Sequence, residues 1–382
     1  MHELPVRVLH ILGSMQRGGT ESVVFNNYQY IDREKVQFDI VVDNNSPCDV
    51  PQNIQDMGCR IYRISPYTRL PAYIAAIRDI CDKNHYDIVH SHMNTMSVFA
   101  LFAAWLAGVP VRISHSHSTA GKGRGETKRN MIKYILRPFS RVFATHYFAC
   151  SEYAARWLFG NCAVENGEAV IFKNAISAEK FCYNPDKRKA VRASLGIEEQ
   201  FVIGHVGRLS PPKNHFFLIA VFNFILKECR DAYLLLVGGI GSAGEGIEQE
   251  LKEKIEKYGI GDRIKCLGSL EDTSEIYQAM DVFVLPSLYE GLGIASIEAQ
   301  ASGLPCILSD RVPRAAKVNE NVKFLSLDEP LEKWASEIIS SQGIRGDYAK
   351  NIAAAGYDIK EAAKVLEDTY LKCIEGIRRE SL

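Results

Sequence analysis

Short apolar runs alternate along the chain with longer segments whose apolar residues recur about every 3.6 residues. This alternation is typical of parallel sheets whose strands are joined by crossover helices. The first half has strand candidates at 6–12, 36–42, 60–65, 87–92, 111–116, 143–150 and 170–174. The pattern then restarts, with candidates at 201–207, 232–238, 263–268, 282–286, 305–309 and 322–327. We therefore predict an α/β protein with two doubly wound parallel sheets.

Residues 175–200 separate the two series, because this segment is polar and contains Pro185 and Gly196. It predicts a connection followed by one helix. A chain of 382 residues also suggests two domains at ~150 residues each. We expect domains at 1–175 and 176–357, facing each other across a cleft, since such sheets bind ligands at the carboxyl ends of their strands. The remaining segment, 358–382, predicts a helix that packs back onto the first domain.

Composition narrows the classes of protein. The 45 basic and 46 acidic residues nearly cancel, which argues against a nucleic-acid-binding protein. The 10 cysteines are scattered without a C-x-x-C pair, which disfavours a zinc cluster and suits a reducing compartment. Only Arg7 precedes the first apolar run, too little charge for a signal peptide. With no run of about 18 apolar residues, we expect a cytoplasmic protein.

The most specific motif is DVFVLPSLYEGLGIASIEAQASGLP at 281–305. It predicts a strand ending at Pro286, a glycine-containing loop, and a short helix over 295–302. Seven residues separate Glu290 from Glu298, and a rise of ~1.5 Å per residue converts this spacing to ~12 Å. That length suits the two sugars of a nucleotide sugar. The helix N-terminus between the two carboxylates offers free N–H groups to a pyrophosphate.

This pattern resembles the E-x7-E motif of retaining glycosyltransferases of family 4, which act in capsule, exopolysaccharide and lipopolysaccharide assembly. The resemblance implies the GT-B fold, with two facing Rossmann-like domains, an interdomain cleft and a C-terminal helix that crosses back to the first domain. It also implies that Glu290 lies beside the donor sugar and that Glu298 binds the ribose hydroxyls. The donor-binding set is completed in this region by Ser269, Gly291, Leu292, Gly293, Ile294 and Ala295.

A second motif, GRLSPPKNH at 207–215, directly follows a predicted strand. Ser210 is a candidate N-cap, and Pro211 suits the first helical position. Lys213 would then lie in the first helical turn, where a cation opposes the helix dipole unless a polyanion binds there. Arg208 and Lys213 could therefore flank a pyrophosphate and stabilise the departing diphosphate, or both could simply be solvated cations. The resemblance assigns them to the donor diphosphate.

The first domain supplies two further candidate groups. Gly18 and Gly19 lie in a glycine loop after the first strand, which resembles the family loop that approaches the donor phosphates or the acceptor. Histidines 90, 92, 115 and 117 lie at the carboxyl ends of two strands, but their spacing supplies too few further ligands for a metal. The resemblance places one histidine near the donor sugar; we assign His117, with His115 as the alternative.

These assignments give a predicted catalytic set of His117, Glu290, Arg208 and Lys213. The chain has no D-x-D sequence, so we expect no metal and no other cofactor.

Residues 122–141 hold seven basic residues and one acidic residue, together with an apolar face. Arg129, Lys133 and Arg137 recur at intervals of four and form one helical stripe, although Pro138 can interrupt it. An ordinary amphipathic helix with a solvated face explains this pattern. The alternative is a surface that docks on an anionic membrane bearing a lipid-linked acceptor.

The sequence therefore predicts a retaining hexosyltransferase that uses a nucleotide sugar, favouring a UDP-sugar. Its expected acceptor is a saccharide or a polyprenyl-linked saccharide, and its expected location is the cytoplasm, including the inner face of the plasma membrane. One rival is a nucleotide-sugar epimerase, and another is a catalytically idle binding protein. A third is an NAD(P)-dependent oxidoreductase, because Gly239, Gly241 and Gly244 match G-x-G-x-x-G. The acidic residue that a dinucleotide-binding site requires at the end of the next strand is missing, which disfavours the oxidoreductase.

Overall fold

The computed structural model describes residues 5–15, 19–117, 126–240, 246–343 and 345–380, with the side chains of 126–129 and 378–380 excepted. The strands are β1 Val6–Gly13, β2 Val36–Asp43, β3 Ile61–Ile64, β4 Ile88–Ser91, β5 Val111–Ser116, β6 His146–Ala149, β7 Ala169–Ile171, β8 Val202–Val206, β9 Tyr233–Val237, β10 Ile264–Cys266, β11 Val282–Leu285, β12 Cys306–Ser309 and β13 Val322–Leu325. Each lies at a predicted strand.

Helices connect the strands in the expected alternation. The α-helices are α1 Gly19–Tyr30, α2 Gln52–Gln55, α3 Leu70–Asn84, α4 Ser97–Leu106, α5 Glu126–Leu136, α6 Glu152–Phe159, α7 Asn161–Glu165, α8 Ala178–Phe181, α9 Pro185–Leu195, α10 His215–Glu228, α11 Ile247–Tyr258, α12 Ser274–Ala279, α13 Ile294–Ala301, α14 Leu331–Ile339, α15 Ala349–Ile352 and α16 Ile359–Glu380. Short 3₁₀ turns span Tyr67–Arg69, Asn94–Met96, Arg137–Phe139, Pro211–Lys213, Gly261–Arg263 and Arg314–Ala316, and a π-helical turn spans Ala353–Tyr357.

Both sheets are parallel and doubly wound. The first has the order β3-β2-β1-β4-β5-β6-β7, and the second has the order β10-β9-β8-β11-β12-β13. In each sheet the order reverses beside its first strand, next to β4 in one and next to β11 in the other. Ligands of such sheets bind at this switch point, outside the carboxyl ends of the strands. The topology therefore points to the loops after β8 and β11, and to the ends of β1 and β4.

The chain divides into two compact units. The first comprises residues up to Ala175 together with the helix that begins at Ile359, and the second comprises Ile176–Asp358. Helix α16 buries Leu366, Tyr370, Cys373 and Ile374 in the apolar cluster that also holds Phe38 of β2. Its apolar stripe thus completes the core of the first unit.

One local prediction was wrong. The segment 175–200 holds two helices, α8 and α9, rather than one. Ser177 caps the first through Lys180 N, and Asn184 caps the second through Lys187 N. Each cap satisfies N–H groups that a helix start leaves unpaired, so two short helices are stable here.

Within the described parts of the chain, we find no helix that combines the length and apolar character needed to cross a bilayer.

Candidate active site

The second unit brings the loops of its two sequence motifs to the switch point of its sheet. Residues 207–214 follow β8, and residues 286–293 follow β11, the strand beside it. Hydrogen bonds to backbone carbonyl groups join these loops: Leu288 N donates to Pro212 O at 2.8 Å, and Asn214 Nδ2 donates to Pro286 O at 3.1 Å. The loops therefore form one surface at the carboxyl ends of the strands.

The loop after β8 also lies closely against the loop after β9. Gly207 N donates to Val237 O at 2.8 Å, and Leu209 N donates to Gly239 O at 2.9 Å. Between them Gly238 has φ +144, and a Cβ there would lie 2.1 Å from the carbonyl oxygen of Gly207. Only glycine allows the two backbones this close approach.

Gly238→Ala is accordingly expected to lower the free energy of unfolding by roughly 2–4 kcal/mol, through steric overlap and backbone strain. Urea unfolding measures the loss. Gly196→Ala is the matched control, because Gly196 also has positive φ (+68) but has open space around its Cβ position. It is expected to cost only about 1 kcal/mol; equal losses in the two variants would contradict the close-approach argument.

The predicted helix start at Ser210 was wrong. Pro211–Lys213 forms a 3₁₀ turn, Ser210 makes no side-chain capping bond, and α10 begins only at His215. Asn214 separates the two elements in a left-handed conformation (φ 56), which Asn tolerates better than most residues. Lys213 therefore ends a 3₁₀ turn instead of occupying the first turn of an α-helix, and the argument from the helix dipole fails.

Lys213 has a different electrostatic setting. Its Nζ lies 2.6 Å from Glu290 Oε1, and Ser287 Oγ donates to the same oxygen at 2.7 Å. The side chains of Lys213 and Glu290 are 20% and 12% exposed. Low exposure strengthens such a pair, because solvent screens it less. The structure thus joins one residue from each motif directly.

Helix α13 begins immediately after this cluster. Gly293 has φ +85, and the helix starts at Ile294. Its first turn carries no acidic side chain, and no side-chain capping bond is formed at Gly293. The first N–H groups of the helix therefore give a positive end to this surface.

Glu298 lies on the second turn of α13 and is partly buried. Burial raises the pKa of its carboxyl group to about 7, while a hydrogen bond from Tyr277 acts in the opposite direction. Tyr277 Oη donates to Glu298 Oε2 at 2.7 Å. Glu298 is thus oriented by α12, an element that the sequence motif does not include.

The structure also places the remaining predicted donor residues of this unit. Arg208 and Ser269 are exposed, Leu292 is buried, and Gly291 is partly buried. Ser269 lies beside Gly239, since a Cβ on that glycine would lie 3.1 Å from Ser269 Cβ. Of the G-x-G-x-x-G sequence only Gly239 is placed, because Gly241 and Gly244 lie outside the described residues.

The sequence interpretation missed Ser287, Tyr277 and two histidines. His205 on β8 and His215 at the start of α10 have ring centroids 4.7 Å apart, close to Lys213. Burial lowers the pKa of both imidazoles, to about 4 for His205. Ser287 and Glu290 are three residues apart in one loop, so the sequence alone could have suggested their contact. Tyr277 and Glu298 are 21 residues apart on different helices, and no sequence pattern indicates that they are hydrogen-bonded.

In the first unit, His117 and His115 are both buried. The backbone N–H of His117 donates to Asn94 Oδ1 at 2.7 Å, and the His117 ring is hydrogen-bonded to the ring of His92. Burial lowers the pKa of His117 to about 3, so its imidazole is neutral at pH 7. Gly19 begins α1, and Gly18 lies outside the described residues.

The basic segment forms a shorter helix than its periodicity suggests. Helix α5 ends at Leu136, and the 3₁₀ turn Arg137–Phe139 follows at Pro138. Apolar side chains on it are well exposed, with Met131 and Ile135 each at 59%. Lys133 lies in the last turn of α5, while the side chain of Arg129 lies outside the described residues.

Comparison with known proteins decides the family. The model of "Glycosyltransferase Family 4" matches residues 17–180, and that of "Glycosyl transferases group 1" matches residues 187–340. EpsF of Bacillus subtilis (strain 168), whose name assigns it provisionally to the glycosyltransferases, is 34% identical over 383 residues, covering 97% of each chain. The chain belongs to glycosyltransferase family 4. As a family 4 protein it is a glycosyltransferase, and the resemblance drawn from its motifs is confirmed.

One further relative and one solved structure of similar fold are informative. The UDP-Gal:alpha-D-GlcNAc-diphosphoundecaprenol alpha-1,3-galactosyltransferase of Escherichia coli is 24% identical over 388 residues, covering 97% of each chain. The crystal structure of Anabaena HepE in complex with UDP-glucose superposes with a TM-score of 0.79 at 19% identity, covering 96% of this chain and 99% of that one. The predicted GT-B fold, with two Rossmann-like domains, is confirmed.

Proposed function

We propose that this glycosyltransferase binds a nucleotide sugar, favouring a UDP-sugar, at the surface formed by residues 207–213 and 287–298. The observation that carries the proposal is the pairing of Lys213 with Glu290 at the positive end of α13. Two cations, Arg208 and Lys213, and the first amides of α13 match a diphosphate in charge. Glu298, one turn further, can accept hydrogen bonds from ribose hydroxyls.

The proposed reaction transfers the sugar to a saccharide or a polyprenyl-diphosphate-linked saccharide. The E. coli relative, whose name includes such a lipid-linked acceptor, supports this class of acceptor. The bond between the anomeric carbon and the diphosphate oxygen breaks, and a bond to an acceptor hydroxyl forms. The proton of that hydroxyl passes to the departing diphosphate, so atoms and charge balance.

We further propose that the anomeric configuration is retained, by attack on the same face as the leaving group. Glu290 is poorly suited to act as a covalent nucleophile, because Lys213 and Ser287 both engage its Oε1. We assign Glu290 instead to orienting Lys213 through their ion pair and to accepting a hydrogen bond from a sugar hydroxyl. Negative charge developing on the diphosphate is stabilised by Arg208, Lys213 and the helix amides, so the proposed chemistry needs no metal.

Incubation of the purified protein with labelled UDP-sugars and polyprenyl-diphosphate-linked saccharides tests this function. We expect a glycosylated acceptor whose NMR coupling shows the anomeric configuration of the donor. Turnover of the donor without acceptor would indicate an epimerase instead. Absence of product with every donor and acceptor, in a protein that still binds UDP, would contradict the proposed transfer.

We also propose that α5 docks the first unit on an anionic membrane, where a lipid-linked acceptor would lie. The exposed apolar side chains of Met131, Ile132, Ile135 and Phe139 accompany Lys133 and Arg137 in this segment. Apolar groups that insert at the interface, next to cations that meet lipid phosphates, are the two components of such docking.

Arg129→Glu with Lys133→Glu is expected to weaken binding to phosphatidylglycerol-containing vesicles at least about tenfold, since each cation near the surface contributes ~1 kcal/mol. Vesicle co-sedimentation measures this effect. Lys187→Glu with Lys189→Glu, two exposed residues of α9 in the other unit, makes the same change in net charge and should leave binding unaltered. Equal binding by all three proteins would contradict docking through α5.

A further inference from the structure

The aliphatic stem of Lys213 lies against Gly207, the residue that directly follows β8. A Cβ atom on Gly207 would lie 3.0 Å from Lys213 Cδ and 3.1 Å from Lys213 Cε. Carbon atoms in ordinary contact are about 3.5–4.0 Å apart, so the stem occupies part of the space that a side chain at position 207 would need. The stem thus fills a slot beside Gly207, and the amine at its end lies 2.6 Å from Glu290 Oε1.

The backbone of Gly207 supplies no separate reason for a glycine at this position. Glycine is needed chiefly where φ is positive or where two backbones approach each other closely. Gly207 does not have a positive φ. The three atoms nearest to its Cβ position all belong to side chains, whereas the nearest atom to the Cβ position of Gly238 is a backbone oxygen. The missing side chain of Gly207 therefore makes room above all for Lys213.

His205 on β8 borders the same slot. Its Nε2 lies 3.2 Å from the Cβ position of Gly207. Its Nδ1 lies 2.8 Å from Val284 O, and because a carbonyl oxygen can only accept, Nδ1 carries the proton of the neutral ring and Nε2 the lone pair. Burial, together with the nearby charge of Lys213, lowers the pKa of His205 to about 4, so the ring is neutral at pH 7. An uncharged ring held by β11 can border the lysine stem without repelling its ammonium group.

The backbone of Gly207 is held from two directions. Its N–H donates to Val237 O at 2.8 Å, and the ring of His215 is hydrogen-bonded to the Gly207 backbone. His215 is itself buried, with its ring centroid 4.7 Å from that of His205. A methyl group added at position 207 would therefore displace the flexible stem of Lys213 and not the backbone.

We propose that Gly207 is a positioning residue: its missing side chain forms a slot that directs the Lys213 stem, so that Nζ reaches Glu290 in the free protein and the diphosphate of a bound donor. This inference rests on the proposed function, in which Lys213 contacts the donor and Gly207 acts only through Lys213. A displacement of ~1 Å in a group that serves the reaction can cost about a hundredfold in rate. A smaller displacement of the Lys213 amine should therefore be measurable.

Carbon NMR of the full chain labelled with [ε-¹³C]lysine tests the slot without reference to activity. The Lys213 signal, assigned by its loss in Lys213→Met, should move in Gly207→Ala, because the added methyl group displaces the stem from Glu290. Gly261→Ala is the matched control, since Gly261 also lacks a positive φ but has its nearest neighbour, Ile255 Cγ2, at an ordinary 3.8 Å. It should leave the signal in place. A Lys213 signal that is the same in Gly207→Ala and in the wild type would overturn the proposal.

Titration of UDP separates positioning of Lys213 from a general disturbance of the loop. Gly207→Ala should weaken UDP binding, and lower kcat/KM for transfer, on the order of tenfold. In a Lys213→Met background the same substitution should change UDP affinity by less than about twofold, because the amine that it misplaces is gone. An equal loss of affinity in both backgrounds would overturn the positioning role.

A double variant keeps the proposal testable should Gly207→Ala fold poorly. Lys213→Ala removes Cδ and Cε and so empties the slot. Gly207→Ala/Lys213→Ala should then unfold at the same urea concentration as Lys213→Ala alone. A double variant that also fails to fold would overturn the proposal, because the crowding at position 207 would then come from other atoms.

The outcomes separate this inference from the proposed function. A Lys213 signal that moves in Gly207→Ala, in a protein whose UDP affinity is unaffected by Lys213→Met, would support the slot and contradict the proposed donor site. A signal that stays in place, in a protein whose UDP affinity is lowered by Lys213→Met, would overturn the slot and support the donor site.

Discussion

Lys213→Met is expected to lower kcat/KM for sugar transfer by about a hundredfold to a thousandfold. The substitution keeps the length of the side chain but removes the cation that lies 2.6 Å from Glu290 Oε1. In the proposed reaction this cation stabilises charge on the departing diphosphate, so its loss should reduce kcat as well as donor affinity. Steady-state kinetics with the donor identified by product analysis measures both quantities.

Glu290→Gln is the control, because it is expected to slow transfer as Lys213→Met does but to change UDP affinity in the opposite direction. The amide no longer competes with the diphosphate for Lys213, so UDP should bind a few-fold more tightly while transfer becomes slower. The two changes should also be non-additive, because the residues form one ion pair. A Lys213→Met enzyme that keeps more than about a third of wild-type kcat/KM would contradict the role assigned to Lys213.

Glu298 is expected to make donor binding depend on pH near neutrality. Burial raises the pKa of its carboxyl group from 4.5 to about 7 in the free protein, so the group is ionised above this pH and protonated below it. The ionised form can accept two hydrogen bonds from ribose hydroxyls, whereas the protonated form accepts fewer. Affinity for UDP-glucose should therefore be highest above pH 7 and should fall as pH decreases through about 7.

Two variants make this prediction specific. Glu298→Gln should weaken binding at pH 8 by roughly tenfold, the loss of a charge-assisted hydrogen bond, and should abolish the pH dependence. Tyr277→Phe removes the O–H that favours the ionised carboxylate, so the midpoint should move to higher pH. Calorimetric titrations between pH 5.5 and 8.5 distinguish these results. A wild-type affinity that is constant over that range would contradict the role of Glu298.

The strands and the sheet class were predictable because buried parallel strands are nearly continuous apolar runs, such as β11 and β12. The Glu290 and Glu298 motif was equally readable, since its loop, glycine and helix follow one another in the sequence. The start of α10 could not be predicted, because Ser210 and Pro211 are residues that commonly begin an α-helix. The helix instead begins after Asn214, whose left-handed backbone and hydrogen bond to Pro286 O outweigh the local preference for a helix start at Ser210.

Contacts between residues far apart in the chain could not be predicted from the sequence pattern. Lys213 and Glu290 are 77 residues apart, and His92 and His117 are 25 apart, so periodicity carries no information on either pair. The sheet topology brings them together, because it places β8 beside β11 and β4 beside β5. The roles of Arg208, Ser269 and His117 toward a donor stay predictions from the family resemblance.

Calorimetric titration of UDP into the wild-type protein and into Arg208→Ala/Lys213→Ala most directly tests whether residues 207–213 bind the donor diphosphate. We expect one UDP per wild-type chain and an affinity at least roughly a hundredfold lower in the double variant, from the loss of two charge-assisted contacts. Circular dichroism verifies that the variant is folded. An affinity within about threefold of wild type in the folded double variant would contradict the proposed donor site.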